Sequence, residues 1–419
     1  MATLVERLSL EVRDYASPQF ALKDDLTRLE AVNAAAAPEA VILYCARILD
    51  SLVSDALRTI GQVPSSNVFS NLQVLEHLNR IGGVTRYLAH AVRRLGNVVR
   101  HIQRRVGPDD AVFSALFVEG CLDWFFCRFS HGHRLPALTR DNVPLGLVGG
   151  EEFRALMCSL EELSALRNAD SGSRIGQAAF AIHKPQSAFH TTPVLPAILA
   201  EIRLSRKEHD EAFAVLDGAL ARFPDDIRLR QLMGQYWSRE GNADKALHWL
   251  EPLYARTDAD DETVGMTAGV YKRRWQADRS RRDDLEKSHR AYRDAWRRSG
   301  KKNAYLGINA ATTALWLGRP EEARRLAVEV EQLLCSRVAT LPSDLRDPRL
   351  SLHFWDQVTL AESQLLQGNL EASERSYTHA FAQHPERRGD IEVSRQQLSE
   401  IMIAQGRTIS IFPQRSDAQ

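Results

Sequence analysis

The sequence predicts an all-α protein in two parts, a compact helical bundle followed by an α-solenoid of stacked helix pairs, for three reasons. Apolar residues recur every three or four positions through most of the chain, the period of a helix with one buried face. Gly and Pro divide those runs into segments of helical-hairpin length. From Pro193 onward, small and aromatic residues return with a period of about 34, the spacing of stacked helix pairs.

Length and composition set the outer bounds. The chain has 419 residues, enough for two or three domains, and 54 basic residues balance 54 acidic ones. Overall charge therefore points to no partner, but its distribution does. Between His77 and Pro108 there is no acidic residue, while Arg80, Arg86, Arg93, Arg94, Arg100, Arg104 and Arg105 all fall there. Such a local basic surface is a candidate site for an anion or a nucleic acid; the bland alternative is a solvated helix face. The cysteines Cys45, Cys121, Cys127, Cys158 and Cys335 are scattered, which suits a reducing, cytoplasmic setting. The N-terminus has no uninterrupted apolar core of the kind a signal peptide needs, and no apolar run is long enough to span a bilayer.

Taken in order, residues 1–37 read as an amphipathic helix and spacer ending in Ala34–Ala37. Pro38 suits the first turn of the next helix, which carries Val41, Tyr44, Cys45, Ile48, Leu49, Leu52 and Leu57 at helical spacing and closes at Gly61. A helix from about Ser70 to Arg80 is broken by Gly82-Gly83, and the arginine-rich helix follows, ending at Gly107-Pro108. Asp109 or Asp110 can cap the fourth helix, Ala111 to Phe129. Four helices with short connections make a bundle over residues 38–130. Residues 131–192 read as a linker with helical fragments, and the glycines at 146, 149 and 150 have no Lys-Ser/Thr after them, so they form a turn and not a phosphate loop. The repeats occupy 193–400 and a tail follows. Their recurring positions are Ala212, Leu216 and Ala219; Gly234, Trp237, Ala246 and Leu250; Gly269, Ser288, Tyr292 and Ala295; Ala311, Gly318, Ala323 and Ala327; and Ala361, Gly368, Ser373, Tyr377 and Ala380. This is the tetratricopeptide pattern, in which small residues let the two helices of a repeat approach closely.

Two sets of side chains carry candidate chemistry. On the arginine-rich helix, Arg94, Asn97 and His101 share a face by spacing. A guanidinium, a carboxamide and an imidazole together can hold a phosphate and move a proton; the alternative is a set of polar residues at a dimer seam, with Gly96 allowing close helix packing. Arg86, Arg93, Arg100, Arg104 and Arg105 are the accompanying candidates for contacts to a phosphate backbone. In the repeats, first-helix positions that face the groove are Arg228, Gln231, Gln235 and Arg239, then Arg273 and Arg274, then Tyr305, Asn309, Thr312 and Trp316, then Trp355, with Tyr271 and Lys272 beside them. Cations, amides and rings in one groove suit a nucleotide or an acidic peptide; inter-helix packing is the alternative for the aromatics. Cys121, Cys127, His131 and His133 match no common zinc spacing, and no metal or cofactor is expected.

The stretch Arg93-Arg94-Leu95-Gly96-Asn97-Val98-Val99-Arg100-His101, together with Ala46-Arg47-Ile48-Leu49-Asp50, resembles the HEPN superfamily, especially the branch catalogued as domain of unknown function 4145. The resemblance covers about residues 38–130. It implies a metal-independent endoribonuclease site shared across a homodimer, with Arg94, Asn97 and His101 as its members. Gly96 stands where the common active form has Arg. The segments Ala268-Gly269-Val270-Tyr271-Lys272 and Tyr305-Leu306-Gly307-Ile308-Asn309-Ala310-Ala311 resemble the helical-repeat region called the TRAFs-binding domain, over roughly 190–385. That resemblance implies a regulatory module, in bacterial conflict systems a sensor of a nucleotide-type signal beside an effector. The two together imply a defence or stress effector with RNA as its target, a toxin-like or antiviral output. The alternative is a non-catalytic adaptor whose repeats hold a partner protein.

Overall fold

A computed structural model of the chain describes residues 22–129, 190–339 and 352–407, apart from 35, 66, 79, 101–104, 258, 353, 386 and 387. Every regular element among the described residues is an α-helix. The first five are α1 (Leu22–Ala34), α2 (Pro38–Thr59), α3 (Val68–His77), α4 (Gly83–Arg100) and α5 (Pro108–Arg128). The repeats follow as helix pairs: α6 (Val194–Ser205) with α7 (His209–Leu220), α8 (Ile227–Arg239) with α9 (Ala243–Tyr254), α10 (Asp261–Ala277) with α11 (Arg282–Arg298), α12 (Ala304–Trp316) with α13 (Pro320–Ala339), and α14 (Phe354–Leu366) with α15 (Leu370–Gln383). A last helix, α16, spans Arg388–Ala404. Of the helix and spacer expected over residues 1–37, residues 1–21 lie outside the described residues, as do the linker fragments of 131–189 with His131, His133 and the 146–150 turn, and the tail beyond 407. No helix among the described residues is long and apolar enough to cross a membrane.

Local chemistry sets the helix starts. Pro38 occupies the first turn of α2, where a missing N–H costs nothing. The Asn67 side chain accepts from the amides of Phe69 and Ser70 at the head of α3. Asn242 and Asp260 cap α9 and α10 in the same way, through the amides of Lys245 and Thr263. At α5 the cap residue is Gly107, and Asp110 accepts from its amide at 3.0 Å. Asp110 thus acts from inside the first turn and not as the cap itself.

The chain divides into two compact units, Met1–Tyr236 and Trp237–Gln419. In the first, α2, α4 and α5 surround a core of Ile42, Ile48, Leu52, Leu88, Val92, Phe113, Phe117, Phe125 and Phe126. Leu195, Ile198, Leu199 and Ile202 of α6 belong to that same core, so the first helix of the repeats is also a wall of the bundle. Each of those side chains contributes about 1.5–3 kcal/mol by leaving water. Gly96 marks the closest approach of α4 to α2: a Cβ there would lie 2.6 Å from the Ala46 Cβ. Cys45 and Cys121 are buried in this core, where burial pushes the Cys45 thiol up to about 12, so that neither is a candidate nucleophile.

In the second unit the core is built on Tyr292, Trp296, Ala311, Phe354 and Tyr377. The small residue that opens each second helix is buried throughout the array, at Ala212, Ala246, Ser288, Ala323 and Ser373. Where it is serine, the hydroxyl donates to a carbonyl of the preceding helix: Ser288 to Ala268 at 2.9 Å and Ser373 to Ala361 at 2.8 Å. A polar atom is thereby tolerated at a dry contact. The turn inside four of the pairs carries one residue at positive φ: Lys207, Gly241, Gly318 and Gly368. The first helices α10, α12 and α14 lie side by side, and α16 runs across them, packing on α12 and α14 and reaching α10 through side chains.

Two stability outcomes follow from these contacts. Gly96→Ala forces α4 off α2 and lowers unfolding free energy by about 1–3 kcal/mol, read by chemical denaturation. Lys207→Gly relieves a side chain held at φ 62° and raises stability by about 0.5–1 kcal/mol in the same assay.

Candidate functional site

In the second unit the first helices bring a buried polar cluster together. Lys272, near the end of α10, donates its ammonium to Asn309 Oδ1 on α12 at 2.8 Å and to Gln397 Oε1 on α16 at 3.3 Å. The Gln397 amide in turn donates to both oxygens of Glu362 on α14, at 2.8 and 2.9 Å. The Thr312 hydroxyl donates to the same carboxylate. A carboxamide therefore stands between a half-buried cation and a buried anion. Burial pulls the Lys272 ammonium down to about 8, with Glu362 and Glu400 acting against it. Burial likewise pushes the Glu362 carboxyl up, against its hydrogen bonds from Thr312 and Gln397 and the charge of Lys272. Both shifts favour the uncharged forms, because the two charges do not touch.

An aromatic wall adjoins the cluster. Trp316 lies with its ring centroid 6.0 Å from Lys272 Nζ and 5.1 Å from the Trp275 ring. The buried indole N–H of Trp316 has no acceptor among the described residues. Arg279 covers the other aromatic partner, 3.9 Å from the Trp275 centroid, and pairs with Glu400 of α16 at 3.5 Å. Gln276 donates to Glu400 as well, at 2.9 Å. Cation, anion, amides and a tilted pair of indoles together can read a flat polar ligand by its edge and hold it by its face.

The other repeat candidates have separate fates. Arg274 pairs with Asp284 at 3.2 Å and Asp244 at 3.3 Å; Arg273 donates to Ser238 from an exposed position. Tyr305 is exposed and packs edge-on against Tyr292, and Arg239 and Trp355 are exposed. Tyr271 donates its hydroxyl to Glu251. Arg228, Gln231 and Gln235 belong to the first unit, where Gln231 is buried and Gln235 half-buried. Of the expected set, Lys272, Asn309, Thr312 and Trp316 meet. Glu362, Gln397 and Glu400 complete the cluster and were not singled out in the sequence. The signal for Glu362 was there: a carboxylate in the middle of α14, beyond the first turn where Asp356 sits. Gln397 and Glu400 sit on a helix outside the repeat pattern and carry no such signal.

On the first unit, the basic face of α4 is largely countered from within. Arg94 makes a two-pronged pair with Glu201 of α6, at 2.6 and 2.9 Å, and Arg228 of α8 approaches the same carboxylate at 3.3 Å. Burial works against the Glu201 charge, but Arg94 and Arg228 outweigh it and hold the carboxyl far below the usual range. His90 bonds to Glu76 at 2.6 Å, Arg86 lies 3.7 Å from Glu76, and Arg93 stacks over Phe69 at 4.9 Å. Burial pulls the His90 imidazole down, against the pull of Glu76. Asn97 is half-buried, while Arg100 and Arg105 are exposed. His101 and Arg104 lie outside the described residues. Glu76, Glu201 and His90 are the members that sequence reasoning passed over; both acids fall outside the acid-free stretch.

Comparison with known proteins bears on the repeats. The model of a family described as Tetratricopeptide Repeats-Sensor matches residues 208–314. No curated protein matches. Among solved structures, a thermophilic TPR protein of Thermus thermophilus is similar at 20% identity over 48% of this chain and 97% of that chain, with a TM-score of 0.37. Over 208–314 the helix pairs are thus similar to tetratricopeptide repeats.

The Glu201 pair gives a measurable consequence. Glu201→Gln removes the carboxylate that meets Arg94 and Arg228 and costs about 3 kcal/mol at neutral pH. In the wild type the folded carboxyl stays ionised where the unfolded one, titrating near about 4.3, already takes a proton. The stabilisation is complete above that value and is lost as pH falls below it. The gap between wild type and variant in urea melts therefore narrows as the solution is acidified below about pH 4.

Proposed function

We propose that this chain is a signal-responsive sensor: its second unit takes a nucleotide-type ligand at the Lys272 cluster, and its N-terminal bundle is a HEPN-like effector that cuts RNA without a metal. The single observation that carries the sensing half is the meeting of Lys272, Asn309, Thr312, Glu362 and Gln397 beside Trp316. A scaffold needs no buried, half-neutralised charges in its groove; a receptor for a small polar ligand does. The match to a sensor-type repeat family over 208–314 agrees with this reading.

The effector half is supported by the order of side chains on α4 and by the resemblance of that helix to HEPN proteins. His101 would take the proton of an RNA 2′-hydroxyl as that oxygen attacks the adjacent phosphorus. As that bond forms, the bond from phosphorus to the 5′-oxygen breaks and that oxygen takes a proton from solvent, so the products are a cyclic 2′,3′-phosphate and a 5′-hydroxyl end. Arg94 would bear on the charge that builds on the phosphoryl oxygens, and Asn97 would orient the phosphate. Arg86, Arg93, Arg100, Arg104 and Arg105 would follow the RNA backbone. A homodimer would bring two such faces together, and the setting would be bacterial defence or stress response in the cytoplasm.

One observation favours a second reading, a non-catalytic adaptor. Arg94 is held by Glu201, so the guanidinium that would meet the phosphate is already engaged. In that reading the bundle dimerises or binds nucleic acid and the repeats hold an acidic partner.

The two readings separate in one assay. RNA is incubated with the full chain in EDTA at low temperature. The nuclease reading expects cleavage that persists in chelator and falls at least about a hundredfold in His101→Ala. The adaptor reading expects intact RNA throughout. For the sensing half, Lys272→Met weakens the binding of an anionic ligand about tenfold or more by calorimetry. Because the Lys272 charge is lost near pH 8 and not near 10.5, wild-type affinity falls as pH rises through about 8.

A further inference from the structure

We propose that the outward face of α11 is a docking surface for the phosphate backbone of a nucleic acid, formed by Lys287, Arg290, Arg297 and Arg298 and continued by Lys301 and Lys302. The inference goes beyond the sensing and cutting readings and needs neither. From Lys287 to Lys302 the sequence holds seven basic residues and one acid, Asp294, in a chain whose 54 basic residues balance 54 acidic ones. The helix turns its apolar side inward: Leu285, Tyr292, Ala295 and Trp296 are buried. Lys287, Arg290, Arg297 and Arg298 are exposed. At 3.6 residues per turn they fall within about a third of the helix circumference, along about 16 Å of its axis.

The rest of the second unit makes this ridge unusual. Arg274 pairs with Asp284, Arg279 with Glu400, Arg319 with Glu286 and Arg337 with Asp356. Acids beside the ridge are engaged in the same way. Glu286 holds Arg319 through both oxygens at 3.0 and 2.9 Å, Asp294 lies 3.1 Å from Arg293, and Glu329 takes Lys301 at 2.7 Å. Among the described residues, no carboxylate forms an ion pair within 4.0 Å of Lys287, Arg290, Arg297, Arg298 or Lys302. The helix dipole favours Arg297 and Arg298 in the last turn but gives no reason for Lys287 and Arg290 in the middle. Like charges a turn apart repel, and a polyanion laid along them removes that repulsion.

The chemistry of the face selects the polyanion. Among the described residues, none of the exposed large apolar side chains lies on α11. The face therefore has nothing to sink into a bilayer and no apolar anchor for a protein partner. Three of its four central cations are arginines, whose planar forks match phosphate oxygens. Its aromatic residues, Tyr292 and Trp296, are buried, so no ring is left to stack on a base. Such a surface holds a strand by its backbone and does not read its sequence.

The test is fluorescence anisotropy of the full chain with a short single-stranded 2′-O-methyl RNA, which cannot be cut through its 2′-oxygen, and with DNA of the same sequence, across a salt series. The expected result is that Arg290→Gln/Arg297→Gln/Arg298→Gln weakens binding about tenfold or more and lowers the slope of log affinity against log salt by about 2, or about 0.7 for each lost phosphate contact. Arg222→Gln/Arg375→Gln, which removes exposed arginines away from α11, changes affinity less than about twofold. Bound RNA also protects Lys287 and Lys302 from acetylation, read by mass spectrometry. Either oligomer bound in this way sustains the inference, and the ratio of the two affinities tells RNA from DNA. No binding to the wild type, an unchanged salt slope in the triple variant, or an equal loss in the control variant overturns it. So does ridge-dependent binding of phosphatidylserine vesicles in place of both oligomers. Each of those outcomes leaves the sensing and cutting readings to their own assays. Circular dichroism melts check that each variant is folded at the assay temperature.

Discussion

Glu201 is gripped by Arg94 from the bundle and approached by Arg228 from the second repeat, and this one carboxylate joins three helices of the first unit. A charge drawn away from water has to be met by another or it unfolds what surrounds it. Here the requirement is met across a sequence separation of 107 residues. The apolar side chains of α6 bring Glu201 to the right place by joining the core of the bundle. Burial supplies the adhesion, and the ion pair supplies the register.

The second unit applies the same constraint and reaches a different result. Lys272 is half-buried and Glu362 is buried, yet they are bridged by the Gln397 carboxamide and do not pair directly. Neither charge is fully compensated, which is why burial shifts both toward neutrality. A purely structural core resolves such a conflict with a direct pair or with apolar replacements. The bridging group comes from α16, which also packs Leu398, Ile401 and Met402 into the core of the second unit.

Much of the fold was legible in order. The helix from Pro38, the break at Gly82-Gly83 and the phased positions Ala212, Ala246, Ser288, Ala323 and Ser373 are local signals, written in side-chain size and backbone freedom. The candidate sites were legible only in part. Asn309 and Thr312 fell on groove-facing positions that the repeat period defines, and Lys272 lay beside that set. Gln397 did not, because α16 stands outside that period. The stretch from His77 to Pro108 contains no acid, which suggested an open basic surface; Glu76 and Glu201 close much of it from outside the stretch.

By itself the sequence determined that the chain is helical, where the pairs begin and turn, and which faces are apolar, since those properties depend on neighbours a few residues away. Which charges meet was left to tertiary structure. Arg94 with Glu201, and Lys272 with Glu362 through Gln397, are partnerships between residues far apart in the chain. They exist only after apolar packing has placed their helices, and Coulomb attraction over such short distances carries no trace in the linear order.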